Sequence, residues 1–130
     1  MVSKVVLMSA AAIGLLTASP AIACRPSLET YVFLTQLPRQ IDDDAIVLRV
    51  RPQKSVTAWN NGLVVDVIDV VRGDWSSDTA YVDYGPFTSC SRAHLPAEGA
   101  WVIGRPVENT RNSLIAQQFK WREWENDDAY

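Results

Sequence analysis

Cys90 and His94 stand four residues apart and could form a thiolate–imidazole pair; His94 is the single histidine of the chain. Such a dyad needs a free, deprotonated thiol. Its chemistry therefore hangs on whether Cys90 is bonded, and His94 beside Pro96 otherwise reads as a surface residue. Asp66 and Asp69 could flank a glycosidic bond as an acid and a base; on a strand, such a pair more simply marks the solvent face. Asp42-Asp43-Asp44 could begin a calcium loop. That loop needs further oxygen ligands at fixed steps and usually a glycine, and Ala45-Ile46-Val47 supplies neither. A zinc centre needs more histidine and cysteine ligands than one histidine and two cysteines provide. Neither a glycine-rich phosphate loop nor a serine-nucleophile motif occurs. The chain is therefore read as a non-enzyme that holds no metal and no cofactor.

The two cysteines, Cys24 and Cys90, carry the strongest signal. Lys4 and the apolar run 5–18 (VVLMSAAAIGLLTA), followed by Ala21-Ile22-Ala23, have the order of a signal peptide with small residues at the cleavage site. The run is shorter than the roughly 20 apolar residues of a membrane span. Cleavage between Ala23 and Cys24 would make Cys24 the first residue of the exported protein. It would also take the formal charge from −3 to −4, since Lys4 is the only charge removed. An acidic exported chain is a poor partner for nucleic acid, whose phosphates require a basic face. An even cysteine count in an oxidising compartment favours a disulfide. The competing fate is lipidation of Cys24, for which Ala21-Ile22-Ala23-Cys24 is a loose match; it would consume the thiol and attach the protein to a membrane.

The elements that must position these residues read as follows. Ser27 as N-cap, with Leu28, Tyr31 and Leu34/Thr35 at helical spacing, suggests a short helix, and the β-branched and aromatic content leaves a strand open. Residues 45–51 form a strand with Ile46, Leu48 and Val50 on one side. Asn60-Asn61-Gly62 is a hairpin signal. Residues 63–72 form the strongest strand. Its alternation cannot bury Leu63, Val65, Val67 and Val70 while keeping Asp66 and Asp69 wet, which predicts a β-bulge near Ile68. Arg72-Gly73-Asp74 is a turn. Residues 79–84 form a strand that buries Ala80, Val82 and Tyr84. Thr88-Ser89-Cys90-Ser91 is a corner, with a short helical turn over 91–95. Residues 100–105 form a central strand interrupted at Gly104, and 113–121 is a last extended segment. Five short bent strands suggest a small antiparallel barrel. The hydrophobic content of 48% and the charged content of 21% suit one globular domain. The chain divides into a signal peptide (1–23), a domain (24–121) and a charged tail (122–130).

One pattern goes further: Val65-x-Val67-x-x-Val70-Val71-Arg72-Gly73, then Thr88-Ser89-Cys90, then Gly99-x-Trp101-Val102-Ile103. With a cysteine directly after the signal peptide, this resembles the netrin-like module of the tissue inhibitors of metalloproteinases over roughly 24–105. The resemblance implies a five-stranded OB-type barrel with one or two short helices and a bridge from Cys24 to Cys90. Animal members carry several disulfides and start Cys-x-Cys; this chain has Cys24-Arg25-Pro26 and one available bridge. In those inhibitors the α-amine and carbonyl of the first cysteine ligate the protease zinc, which the resemblance extends to Cys24. OB barrels also bind through aromatic faces. Of the five tryptophans, Trp101 is expected in the core, and Trp59, Trp75, Trp121 and Trp124 are candidate ligand-facing aromatics. The resulting expectation is a periplasmic or secreted binding module with a protein, peptide or glycan partner. An envelope lipoprotein and a secreted protease inhibitor are the alternatives.

Overall fold

The computed structural model describes residues 24–54, 58–59, 61–85, 87–120 and 123. Residues 1–23, with the signal peptide and Ala23, lie outside them, as does nearly all of the tail. After a 3-10 turn at Pro26–Leu28 come nine strands: β1 Thr30–Tyr31, β2 Ile46–Pro52, β3 Ala58–Trp59, β4 Gly62–Arg72, β5 Thr79–Asp83, β6 Ser91–Arg92, β7 Ala100–Pro106, β8 Ser113–Ala116 and β9 Phe119–Lys120. The described residues contain almost no helix.

Five strands close a barrel. β2 pairs with β7, β7 with β8, β8 with β5, β5 with β4, and β4 returns to β2. Every pair is antiparallel except β5–β8, which is parallel, so the expected all-antiparallel ring is mixed. β3 extends the hairpin beside β4, with Trp59 opposite Gly62. Gly62 is therefore a strand residue and not part of the turn; a side chain there would collide with the Tyr81 ring.

The strain that alternation imposes on β4 is relieved by bulges. Asp69 faces Arg49 and Val67 faces Val50, which leaves Ile68 extra, as expected. A second extra residue, Val71, lies between Val70 opposite Leu48 and Arg72 opposite Val47. β7 runs straight through Gly104 where an interruption is expected. Glycine is needed there because a Cβ would run into the carbonyl oxygen of Ile115 on β8.

Two cores result. Ile46, Leu48 and Val50 point into the barrel with Val65, Val82 and Val102. Val47 and Ile103 point outward under Leu34, Ala45 and Phe119. β2 is thus buried on both faces, which is why Ile46, Val47 and Leu48 are buried in succession. The layer that covers the outer core is a three-stranded patch ordered β6-β1-β9. This corrects two helical expectations. Residues 28–34 hold the end of the 3-10 turn, then β1 and a bridge from Leu34 to Trp101; residues 91–92 are β6. In both cases long-range strand pairing prevails over a local helical spacing. The last extended segment is likewise two strands, β8 in the barrel and β9 in the patch.

Candidate functional site

Cys24 and Cys90 are joined by a disulfide with 5.2 Å between their Cα atoms. The bond ties the start of the expected exported chain to the corner between β5 and β7. It leaves no thiol for a dyad with exposed His94, or for a lipid on Cys24.

A polar network builds the corner. The backbone N–H of Cys90 donates to the Thr88 hydroxyl (3.2 Å), and that of Thr88 donates to the Ser91 hydroxyl (3.0 Å). The Ser91 and Thr30 hydroxyls both donate to Oε1 of Gln118, at 2.9 and 2.6 Å. Nε2 of Gln118 donates to the carbonyl of Tyr84 at 2.9 Å. One amide therefore bolts together three distant segments. Beside it, Glu29 accepts from the Tyr31 hydroxyl (2.8 Å) and from Arg92 (2.9 Å), while Arg92 also donates to the Ser89 carbonyl (2.7 Å). The Tyr31 hydrogen bond and, after it, Arg92 hold the Glu29 carboxyl below the ordinary glutamate range against a desolvation cost. Burial, with Tyr81 as a second cause, pushes the Tyr84 phenol up to about 12. The hydroxyls of Thr30 and Ser91, the Gln118 amide and the Glu29–Arg92 pair are satisfied as they stand, the pattern of a structural joint.

The acids singled out in the sequence are mostly engaged. Asp42 and Asp44 both receive the Arg105 guanidinium, and the Asp42 carbonyl receives Arg72. The acidic run thus meets arginines. Asp66 accepts from Gln53 at 3.1 Å and pairs with Arg51 at 3.8 Å, whereas Asp69 is exposed. Among the described residues, no three histidine, cysteine, aspartate or glutamate side chains gather as metal ligands.

Trp59 and Trp75 lie at opposite ends of β4, and the side chain of Trp59, like Trp121 and Trp124, lies outside the described residues. Trp75 packs against the barrel core, with its indole N–H buried and lacking an acceptor among the described residues. Trp101, expected in the core, is half-buried at the margin of the outer core. The Arg49 guanidinium sits 4.1 Å from its ring centre.

A feature that residue-type reasoning passed over lies on β4. Along β4, the pairing with β5 covers only Gly62–Asp66, and one further bond, from the Val67 N–H to the Asp78 carbonyl (2.8 Å), ends the contact. Residues 68–72 have β2 on one side and, among the described residues, no backbone partner on the other. The sequence did hold a sign of this: the strand expected at 63–72 is much longer than its neighbour at 79–84. Compared with protein-family models, with curated proteins and with solved structures, the chain matches none.

Proposed function

We propose that the chain is an exported, non-enzymatic binding module on an OB-type, netrin-like barrel. The observation that carries this reading is the Cys24–Cys90 bond, which pins Cys24, the residue expected to follow a signal peptide, to the corner between two barrel strands. The ring supports the same reading. Taking β2, β4, β5, β7 and β8 as first to fifth, the order round the barrel is 1-2-3-5-4 and back to 1, with the third and fifth strands parallel. Such a closed five-stranded ring suits an OB-type barrel. A disulfide also suits an oxidising compartment, the periplasm or the exterior.

The bond favours one second reading. An α-amine on Cys24, held in place by the disulfide, would be partly neutral near pH 7 and able to ligate the zinc of a target protease. A lipid anchor at Cys24 and the bond exclude each other.

The test begins with the full chain expressed and recovered from the envelope or medium. Its intact mass should correspond to a chain starting at Cys24 with two hydrogens lost. Retention of residues 1–23, or an added diacylglyceryl group, would overturn the export-and-disulfide reading. Tryptophan fluorescence titrated with glycans and peptidoglycan fragments, and inhibition of a panel of zinc proteases, then examine the ligand class. Equal inhibition by a form carrying one extra residue before Cys24 would exclude the amine as zinc ligand.

A further inference from the structure

We propose that residues 74–77, in the connection from β4 to β5, form a strap that opens from the barrel without unfolding it, with the Trp75 ring as its latch. The proposal goes beyond the binding-module reading and does not depend on it. Both ends of the connection are fixed. Arg72 pairs with Val47 on β2 and donates to the carbonyls of Asp42 and Ala45. At the other end the Asp78 carbonyl accepts from the Val67 N–H at 2.8 Å. The chain leaves β4 through Gly73, whose φ of 97° suits glycine and strains other residues. The backbone of residues 74–77 then makes no hydrogen bond among the described residues. The connections 93–99 and 107–112 do carry such bonds. In the first, the Gly99 N–H donates to the Pro96 carbonyl at 2.9 Å; in the second, the Thr110 N–H donates to the Val107 carbonyl at 3.3 Å.

What holds the strap is therefore a side chain. Asp74 and Ser76 are exposed, and Asp74 forms no ion pair among the described residues. Of the four residues, Trp75 is the one that packs against the barrel core. That contact pulls in two directions. The ring gains by leaving water. Its Nε1–H is buried with no acceptor among the described residues, the one such side-chain atom there. This donor gives up its bond to water and receives nothing in exchange. Swinging the strap outward reverses both effects: the ring becomes wet, and the N–H regains a partner. The regained bond lowers the cost of opening. The barrel keeps every strand pairing meanwhile, since residues 74–77 take part in none. A segment with a single buried anchor and no backbone bonds opens ahead of the rest of a fold. Opening uncovers the part of the core that lies under the ring.

The test is hydrogen exchange followed by NMR on the wild-type protein with its disulfide intact. The Trp75 indole N–H is compared with the backbone amides of Leu48, Val82 and Val102, each on a strand paired on both sides. The indole should be about a hundredfold less protected than those amides, as expected of local opening. Low concentrations of urea should change its exchange little, because opening the strap exposes little surface, whereas the barrel amides should respond steeply. Equal protection, or an equal urea dependence, would overturn the proposal, since Trp75 would then leave the core only when the domain unfolds. A second measurement replaces Trp75 with its benzothiophene analogue, in which sulfur stands where the N–H was and the ring keeps its shape. Removing a buried donor that has no acceptor should leave the urea midpoint unchanged or raise it. A lower midpoint would show that the N–H is bonded in the folded protein and would overturn the latch.

Discussion

β7 and β4 each run past a neighbouring strand, and the fold treats the two overhangs differently. β8 reaches β7 only at Gly104–Pro106. The earlier part of β7 is flanked instead by Leu34, which exchanges two backbone hydrogen bonds with Trp101 at 2.9 Å, and by the Gln117 N–H, which donates to Ile103 at 2.8 Å. Below that cover lies the outer core. On the side away from β2, the overhang of β4 has one backbone bond among the described residues, at its root, and then exposed Ile68, Asp69 and Val71. The covered edge is anchored covalently, because the segment carrying Leu34 begins at the disulfide. The bare edge is bulged and charged, the devices by which a strand avoids its own kind.

That contrast can be broken most strongly at the disulfide. Replacing Cys24 and Cys90 with serine opens a loop spanning 66 residues and should cost about 4 kcal/mol on the chain-entropy account, read as a lower urea midpoint. Amide exchange at Leu34 and Trp101 should rise toward that of β4; unchanged exchange would show that the bond does not hold the cover. Leu34→Ala, at a side chain with 0% exposure, should cost about 3 kcal/mol, measured in the same way. A smaller effect is expected from pH. The folded pKa of Glu29 is lowered, so its ionised form stabilises the corner above the ordinary glutamate range, and this contribution vanishes as pH falls through the depressed folded value. Wild type should therefore lose more stability on acidification than Glu29→Gln, and parallel pH profiles would refute this. Ile68→Lys, on the bare edge, should change stability by no more than about 0.5 kcal/mol. A large loss there would mean that the edge belongs to the folded core after all.

Much of the barrel was legible in the sequence because its strands alternate. The bulge at Ile68 could be read from a conflict between burying Val70 and wetting Asp66 and Asp69. The second bulge at Val71 left no such conflict, since Val71 is itself exposed. β1, β6 and β9 are two residues each, and their pairing joins Thr30 to Ser91 and to Lys120; no local pattern encodes so distant a match. The helical spacing of Leu28, Tyr31 and Leu34 was real but was put to another use, Tyr31 in a strand and Leu34 as cover for β7. Trp101, expected in the core, stays half-buried because the Arg49 guanidinium covers its ring face. The disulfide could be anticipated from the cysteine count, but Gln118, the amide that locks the corner, is an ordinary polar residue until the fold brings Thr30 and Ser91 to it.

The parallel seam between β5 and β8 has a consequence for the growing chain. A ribosome delivers β2, β4, β5 and β7 in that order, yet β7 cannot join β5 without β8 between them, and the outer patch cannot form without β9. The nascent protein thus holds an unclosed sheet until residues 113–120 have emerged, then gains both layers together. Removing those residues should yield a chain with no finished domain, and slow, late closure of this kind is what long-range strand pairing imposes.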